Sequence, residues 1–556
     1  MVVPNTSGGR FVISLLLSVM QIFLFAQSKA TLSLDHPVFN VQKYTLEVNL
    51  YDCYRPPYLK SFEAKETITA RIIKDSDQIS LNAENSSLEI DSVSLGGRRF
   101  LHHHDTLTIF LDRLYHQGEI TRIRINYHHK NIVDGAFYTG QGYVYTDNPP
   151  AGARKWLPCH DTPSDKACWD LTAKVPAEVR LGSNGRLADS SITADTIFYH
   201  WVSRFPLATY LITISSRTNF RIVNSFYHPA LCDSDRIPIR IFYNEGEELQ
   251  TFRNLIIPLT DFYSSKFGAY PFEKIGFATL DPSFPWGGME NQDMISLRPG
   301  GLSNQNLIAH EFAHQWFGDL ITCGTWADIW LNEGFATYVT ALWTEETKGF
   351  QEYKNRMGAL ADYYLKNNPG WPLYHSDWIN IAPSSGDLYN EAVSYNKGAC
   401  VLHQLRYLLG DTVFFKVLKA YATDSGLVFG NAITPDFSTI ANKVSGKDLN
   451  WFFKEWVYSP NHPEYENQYR IVKKLEGNWQ VDLSINQVQA DSGIFIMPVE
   501  IEISFVDSTK TILKVWNDKR NQTFNFRFLK QAVALRFDPM GNILLKKVKT
   551  IRSNDQ

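Results

Sequence analysis

A multidomain α+β fold is expected from three changes of pattern along the 556 residues. From about residue 31 to 230, strand-like alternation dominates. Tyr44, Leu46, Val48 and Leu50 share one face, and Ile123, Ile125 and Tyr127 repeat the pattern, as half-buried strands require. From about 245 to 457 the pattern turns helical, with segments such as 399–409 and 448–458. Pro460 and Pro463 break it. Beyond them Val499/Ile501/Ile503/Phe505, Phe524/Phe526/Phe528 and Val533/Leu535/Phe537 alternate like strands of a small β-sandwich. The chain is too long for one core, so we divide it into residues 1–30, 31–235, 236–458 and 459–550. A hydrophobic content of 44% and an aromatic content of 14% support sizeable cores. Net charge is −4, which gives no electrostatic case for nucleic acid, a ligand that calls for clustered Lys and Arg.

Residues 1–30 read as a signal peptide. Arg10 supplies the positive start, residues 11–25 are almost unbroken apolar sequence, and Ser28-Lys29-Ala30 offers small residues to a signal peptidase. Cleavage after Ala26 is a second option. The apolar run is short for a membrane span and polar residues follow at once. No stable membrane insertion is therefore expected after cleavage, and the mature chain is placed in a periplasm or outside the cell. No cysteine follows until Cys53, which argues against a lipoprotein anchor. Removing residues 1–30 takes away Arg10 and Lys29 and no acid, moving net charge from −4 to −6.

Within 31–235, Ile72-Ile73 and residues 210–214 read as more buried strands. The run His102-His103-His104-Asp105 reads as a polar turn, because neighbours on a strand face opposite ways and chelate poorly. Asn85 and Asn521 begin matches to the glycosylation sequon, a pattern common by chance. The six cysteines, Cys53, Cys159, Cys168, Cys232, Cys323 and Cys400, permit disulfides in an exported protein and serve equally as small buried hydrophobes. None is paired here.

The chemistry concentrates in His310-Glu311-Phe312-Ala313-His314 and in Glu333, eighteen intervening residues later. Histidines four apart on a helix stack one turn above each other and reach one ion. Zinc takes nitrogen and oxygen donors in a tetrahedral shell and, in catalytic sites, keeps the fourth position for water. Glu333 is the candidate third ligand and Glu311 the candidate general base. A bare pentapeptide of this type is often only a solvated helix face. Here Ser303 or Asn304 can cap a helix that Gly318 can end, with Leu307, Ile308 and Trp316 as surface to bury. A second apolar segment, residues 330–338, offers Glu333 from a partner helix.

Gly287-Gly288-Met289-Glu290-Asn291 precedes these motifs and Ser394-Tyr395-Asn396-Lys397-Gly398 follows them, with Ala153 to Asp161 further upstream. In this order the chain resembles the zinc aminopeptidases related to aminopeptidase N and the leukotriene hydrolase, a gluzincin family. The resemblance implies a β-rich N-terminal domain, a thermolysin-like zinc domain binding one Zn2+, and a β-sandwich. Longer relatives add a C-terminal helical domain that walls in the cavity. Here the chain stops at Gln556, so that domain is expected to be missing and substrate length selection is open.

By the same resemblance Tyr395, sixty-two residues after Glu333, supplies a hydrogen bond to the oxyanion. Glu290 pairs with the α-ammonium group of a substrate, beside a strand at Gly287, Gly288 and Met289 along which the substrate backbone lies. Relatives often carry glutamine or glutamate where this chain has Asp147, a methylene shorter, so that contact to the amine is left open. Asp328, five residues before Glu333, is a candidate acceptor for the second N–H of a ligand histidine, with a solvated turn acid as the other reading. The expectation is an aminopeptidase acting on peptides with free N-termini. A thermolysin-like endopeptidase, or an inactive homologue kept as a peptide-binding scaffold, are the alternatives. An epoxide hydrolase activity needs a lipid pocket that is not readable here, and neither is the oligomeric state.

Overall fold

The alternation in the first third of the chain builds a seven-stranded sheet. In this computed structural model, residues 38–229, 236–474, 477–490 and 493–553 are described, and counts and absences refer to these. The segment read as a signal peptide and Cys232 lie outside them. The strand order is Arg186–Thr193, Thr196–Leu207, Ala167–Pro176, Phe39–Asn49, Glu63–Ile72, Ile120–His129, Leu88–Leu95. Only the central pair, Phe39–Asn49 with Ala167–Pro176, is parallel. One face is apolar: Tyr44, Leu46, Val48, Ile123, Ile125 and Tyr127 are all buried there. A three-stranded sheet and a four-stranded sheet complete this domain.

Residues 210–214 differ from expectation. Thr209–Leu211 is a turn of 3-10 helix, and the strand begins only at Ile214. Side-chain amides take the place of a neighbouring strand there. Asn148 Nδ2 donates to the Thr209 and Ile212 carbonyls, and Asn184 Nδ2 donates to that of Leu211. The buried backbone is thus satisfied without pairing.

The middle of the chain opens on a five-stranded sheet ordered Arg221–Tyr227, Ile237–Tyr243, Ile275–Thr279, Ile295–Leu297, Gly288–Met289. Arg221–Tyr227, which lies before the 235/236 division of the sequence, pairs with Ile237–Tyr243 in this sheet. Strands also lie inside the region read as helical. Ile275–Thr279 is buried at every position, so it has no alternation to read. Gly288–Met289 ends the sheet, paired only with Ile295–Leu297. The helices Gln250–Phe267, Gln305–Ala313, Trp330–Lys348, Phe350–Asn367, Gly398–Leu409 and Asp411–Ala422 pack on one another and share one buried cluster with this sheet. No described helix is long and apolar enough to cross a membrane.

The last region is a sandwich of a four-stranded and a three-stranded sheet. Met497–Phe505 and Asn521–Phe528 form strands where alternation placed them. In Ala532–Phe537 a bulge opposite Ser504 and Phe505 turns Ala532 inward and leaves Val533 36% exposed, while Leu535 and Phe537 stay buried. The buried residues fall into two clusters rather than one per domain. One fills the N-terminal sheets, and the other runs without a break from Tyr227 through the helices to Leu545.

Candidate metal centre and active site

The helix Gln305–Ala313 begins where Asn304 Oδ1 accepts the Leu307 N–H at 3.2 Å. Its inner face presents Ile308 and Phe312 to the core, with Trp316 on the turns that follow. Leu307 instead faces the cleft. That orientation turns His310, Glu311 and His314 towards Glu333 on the first turn of Trp330–Lys348.

The three candidate donors form a nearly equilateral triangle. His310 Nε2 lies 3.2 Å from His314 Nε2 and 3.4 Å from Glu333 Oε2, and the third edge is 3.3 Å. Zinc with ligands at roughly 2.0–2.1 Å in a tetrahedron sets them about 3.3–3.4 Å apart, so the residues fit the ion. The buried Glu333 Oε2 makes no well-formed hydrogen bond of its own. His314 Nδ1 lies 3.0 Å from the Phe317 carbonyl. Donation from Nδ1 to that oxygen leaves the Nε2 lone pair for the metal.

Asp328 does not perform that outer role. Its Oδ1 accepts from the Thr434 N–H and hydroxyl, and its Oδ2 from the Thr325 hydroxyl. It ties the helix Thr434–Ser445 to the turn before Glu333. The partner of His314 is a backbone carbonyl, which leaves no signature in a sequence.

Helix contact fixes Glu333. A Cβ built on Gly334 would sit 2.8 Å from the Gly398 Cα, and one on Gly398 would meet the Gly334 Cα at the same distance. The glycines of the two motifs are therefore each other's clearance, and they let Trp330–Lys348 approach Gly398–Leu409. Just before Gly398, Glu391–Lys397 is a π-helical turn, a rare form frequent at functional sites. It brings the Tyr395 ring into a stack with His310, centroids 5.8 Å apart and planes at 22°. Burial holds the Tyr395 hydroxyl protonated, well above its usual range.

Glu290 leaves the edge strand Gly288–Met289 buried, and its carboxylate gathers with those of Glu311 and the His314 ring within 4.8 Å. Burial raises both Glu290 and Glu311 above the ordinary carboxylate range. The two glycines before it differ. A Cβ on Gly288 would meet Glu311 Oε1 at 2.5 Å, whereas one on Gly287 would touch only Leu307 Cδ1 at 3.4 Å. Gly288 makes room for Glu311, and Gly287 keeps the open side of the strand clear. Met289 is buried and lines the cleft.

These groups line one cleft of about 550 Å3. The sequence did not point to its walls, among them Trp286 and Tyr389 (rings 6.2 Å apart), Thr337 and Leu360. Asp147 stands behind Trp286, accepting its indole N–H at 2.9 Å on Oδ2. Its Oδ1 is buried without a partner, and burial pushes the carboxyl up to about 7. His102 Nε2 lies 2.8 Å from the Ala83 carbonyl, and His104 and Asp105 form a turn with positive φ, away from the cleft.

Residues 39–211 match the peptidase M1 N-terminal domain and residues 253–456 match the peptidase family M1 domain. The chain belongs to peptidase family M1. Aminopeptidase M1 of Arabidopsis thaliana is 28% identical over 394 residues, which cover 66% of this chain and 42% of that protein. A probable aminopeptidase 1 of Sulfurisphaera tokodaii is 25% identical over 90% of this chain and 62% of its own length. The M1 chain thus spans roughly two fifths to three fifths of these relatives. The M1 zinc metallopeptidase structure from Deinococcus radiodurans shares the fold, with a TM-score of 0.66 at 24% identity over 76% of this chain and 94% of that one.

Proposed function

We propose that this M1 chain is a zinc-dependent aminopeptidase that releases the N-terminal residue of peptides with a free α-amine. The observation that carries this reading is the gathering of Glu290 and Glu311 with His314 within 4.8 Å. A carboxylate that close to the donor triangle leaves space for one residue between a bound ammonium group and the scissile carbonyl.

His310, His314 and Glu333 would hold the ion. Zinc, when bound, supplies a Lewis acid and lowers the pKa of its water to roughly 7. Glu311 takes the proton of the attacking water and returns it to the leaving amine. Tyr395 donates its hydroxyl proton in a hydrogen bond to the oxygen that gains charge. Glu290 pairs with the substrate ammonium. The open edge of Gly288–Met289 receives the peptide backbone as an added strand. Glu290, Glu311, Glu333 and Glu391 line the cleft and no Lys or Arg does, which favours a cationic chain end. Residues 1–30 support an exported enzyme, and sequencing the N-terminus of the secreted protein tests that.

The deciding experiment compares free and N-acetylated peptides with and without a zinc chelator. Chelator-sensitive release of single residues from the free peptides alone is the expected result. Internal cleavage of blocked peptides would make the enzyme an endopeptidase, and no cleavage of either would leave a binding scaffold.

A further inference from the structure

Gln315, the residue after His314, is fully buried, with both ends of its amide hydrogen-bonded. Its Nε2 donates to the Glu290 carbonyl at 3.3 Å and to Asp319 Oδ2 at 2.7 Å. Its Oε1 accepts the Asp293 N–H at 2.9 Å, while the Tyr270 hydroxyl, 3.5 Å away, donates to the Lys274 carbonyl at 2.7 Å. An amide has two N–H donors and two carbonyl lone pairs, so both donors and one lone pair are engaged.

These bonds place Gln315 between the donor helix and the loop 290–293. Asp293, at φ +52°, closes that loop. Its carboxylate is clamped by Lys274 Nζ at 2.7 Å and by the Gly185 N–H at 2.8 Å. On the other side Asp319 is fixed as well: its N–H donates to the His314 carbonyl at 2.9 Å, and its own carbonyl accepts Lys166 Nζ. The 293 end of the loop and Asp319 are thus both held, and Gln315 ties the Glu290 end to the segment that carries His314.

We infer that Gln315 is a positioning residue that sets the distance between Glu290 and the metal-binding residues, and so sets how well the site holds a free α-amine. This rests on the aminopeptidase reading above. Gln315 touches neither substrate nor metal. Its effect is transmitted through the backbone of Glu290. Leucine at this position would leave the Glu290 carbonyl, the Asp293 N–H and Asp319 Oδ2 without their partner, and the loop would settle elsewhere.

The test is a double-mutant cycle in the zinc-loaded enzyme, with kcat and KM measured on a free-amine peptide. Q315L is expected to keep its zinc, to raise KM about tenfold and to change kcat less than about threefold. In a Glu290→Ala background the same substitution should add less than about twofold, because the group it positions is gone. Q315N keeps an amide but is too short to span its partners. It should raise KM in the same direction, which keeps the test open if Q315L folds poorly. Equal losses in both backgrounds, or an unchanged KM, would overturn the inference and leave the aminopeptidase reading intact. If Glu290→Ala itself hydrolyses free-amine peptides like wild type, the amine anchor fails and this inference fails with it.

Discussion

At the scale of single residues, the site separates groups that do chemistry from groups that make room for it. Glu311→Gln keeps all three candidate ligands, so zinc content should stay near that of wild type while turnover falls by about a hundred- to ten-thousandfold. Metal analysis beside a peptidase assay checks both parts. Gly288→Ala adds a carbon 2.5 Å from Glu311 Oε1, so it too should cut turnover with zinc retained, and wild-type turnover would mean that Glu311 has slack. The donors are legible in the sequence because spacing on a helix is local and Glu333 follows within one short connection. Asp328 shows the limit: two of its three hydrogen bonds come from Thr434, more than a hundred residues away. Glu66 is another group that its local sequence does not mark: it is fully buried in the N-terminal core with neither carboxylate oxygen bonded. Burial raises its carboxyl well above the usual range. In the folded state it therefore stays neutral while the unfolded chain ionises, and stability falls as pH rises through about 4.3 and beyond. Glu66→Gln removes that loss. Its melting temperature should exceed that of wild type at pH 7.5 and converge with it near pH 4, and a difference independent of pH would rule the account out.

Among elements, the contact that matters most is helix on helix at Gly334 and Gly398. Gly334→Ala places a carbon 2.8 Å from the Gly398 Cα, and overpacking of this kind costs about 1–3 kcal/mol. Because Glu333 is next to Gly334 and Tyr395 precedes Gly398 by one turn, the helices separate at the metal site itself. Weaker zinc retention in dialysis, with a lower melting temperature, is the expected result, and unchanged retention would show that the helices move without the ligand. Most strands of the outer domains were legible, since a sheet with one face in the core alternates. Three segments were not. Ile275–Thr279 is buried on both faces, residues 210–214 replace strand pairing with side-chain amides, and the bulge at Val533 inserts a residue that breaks the period. Each is settled by a neighbour distant in sequence, which a local pattern does not contain.

For the whole molecule, the two buried clusters cut across the three-part reading of the chain. The sandwich has its own sheets, yet its interior is continuous with that of the helices. Phe495, 2% exposed, packs on Trp456 with ring centroids 4.8 Å apart, and the Leu545 N–H donates to Gln404 Oε1 on Gly398–Leu409 at 3.0 Å. Two layers that share a core unfold together, because neither can expose its half of the interface without losing the burial that holds it. Phe495→Ala tests this directly. Removing a buried phenylalanine costs about 3–5 kcal/mol. If the core is common, that loss lowers the temperature at which peptidase activity disappears as well as the temperature at which the sandwich melts. If the sandwich were an independent unit, the same substitution would melt it early and leave thermal inactivation of the metal site where it was.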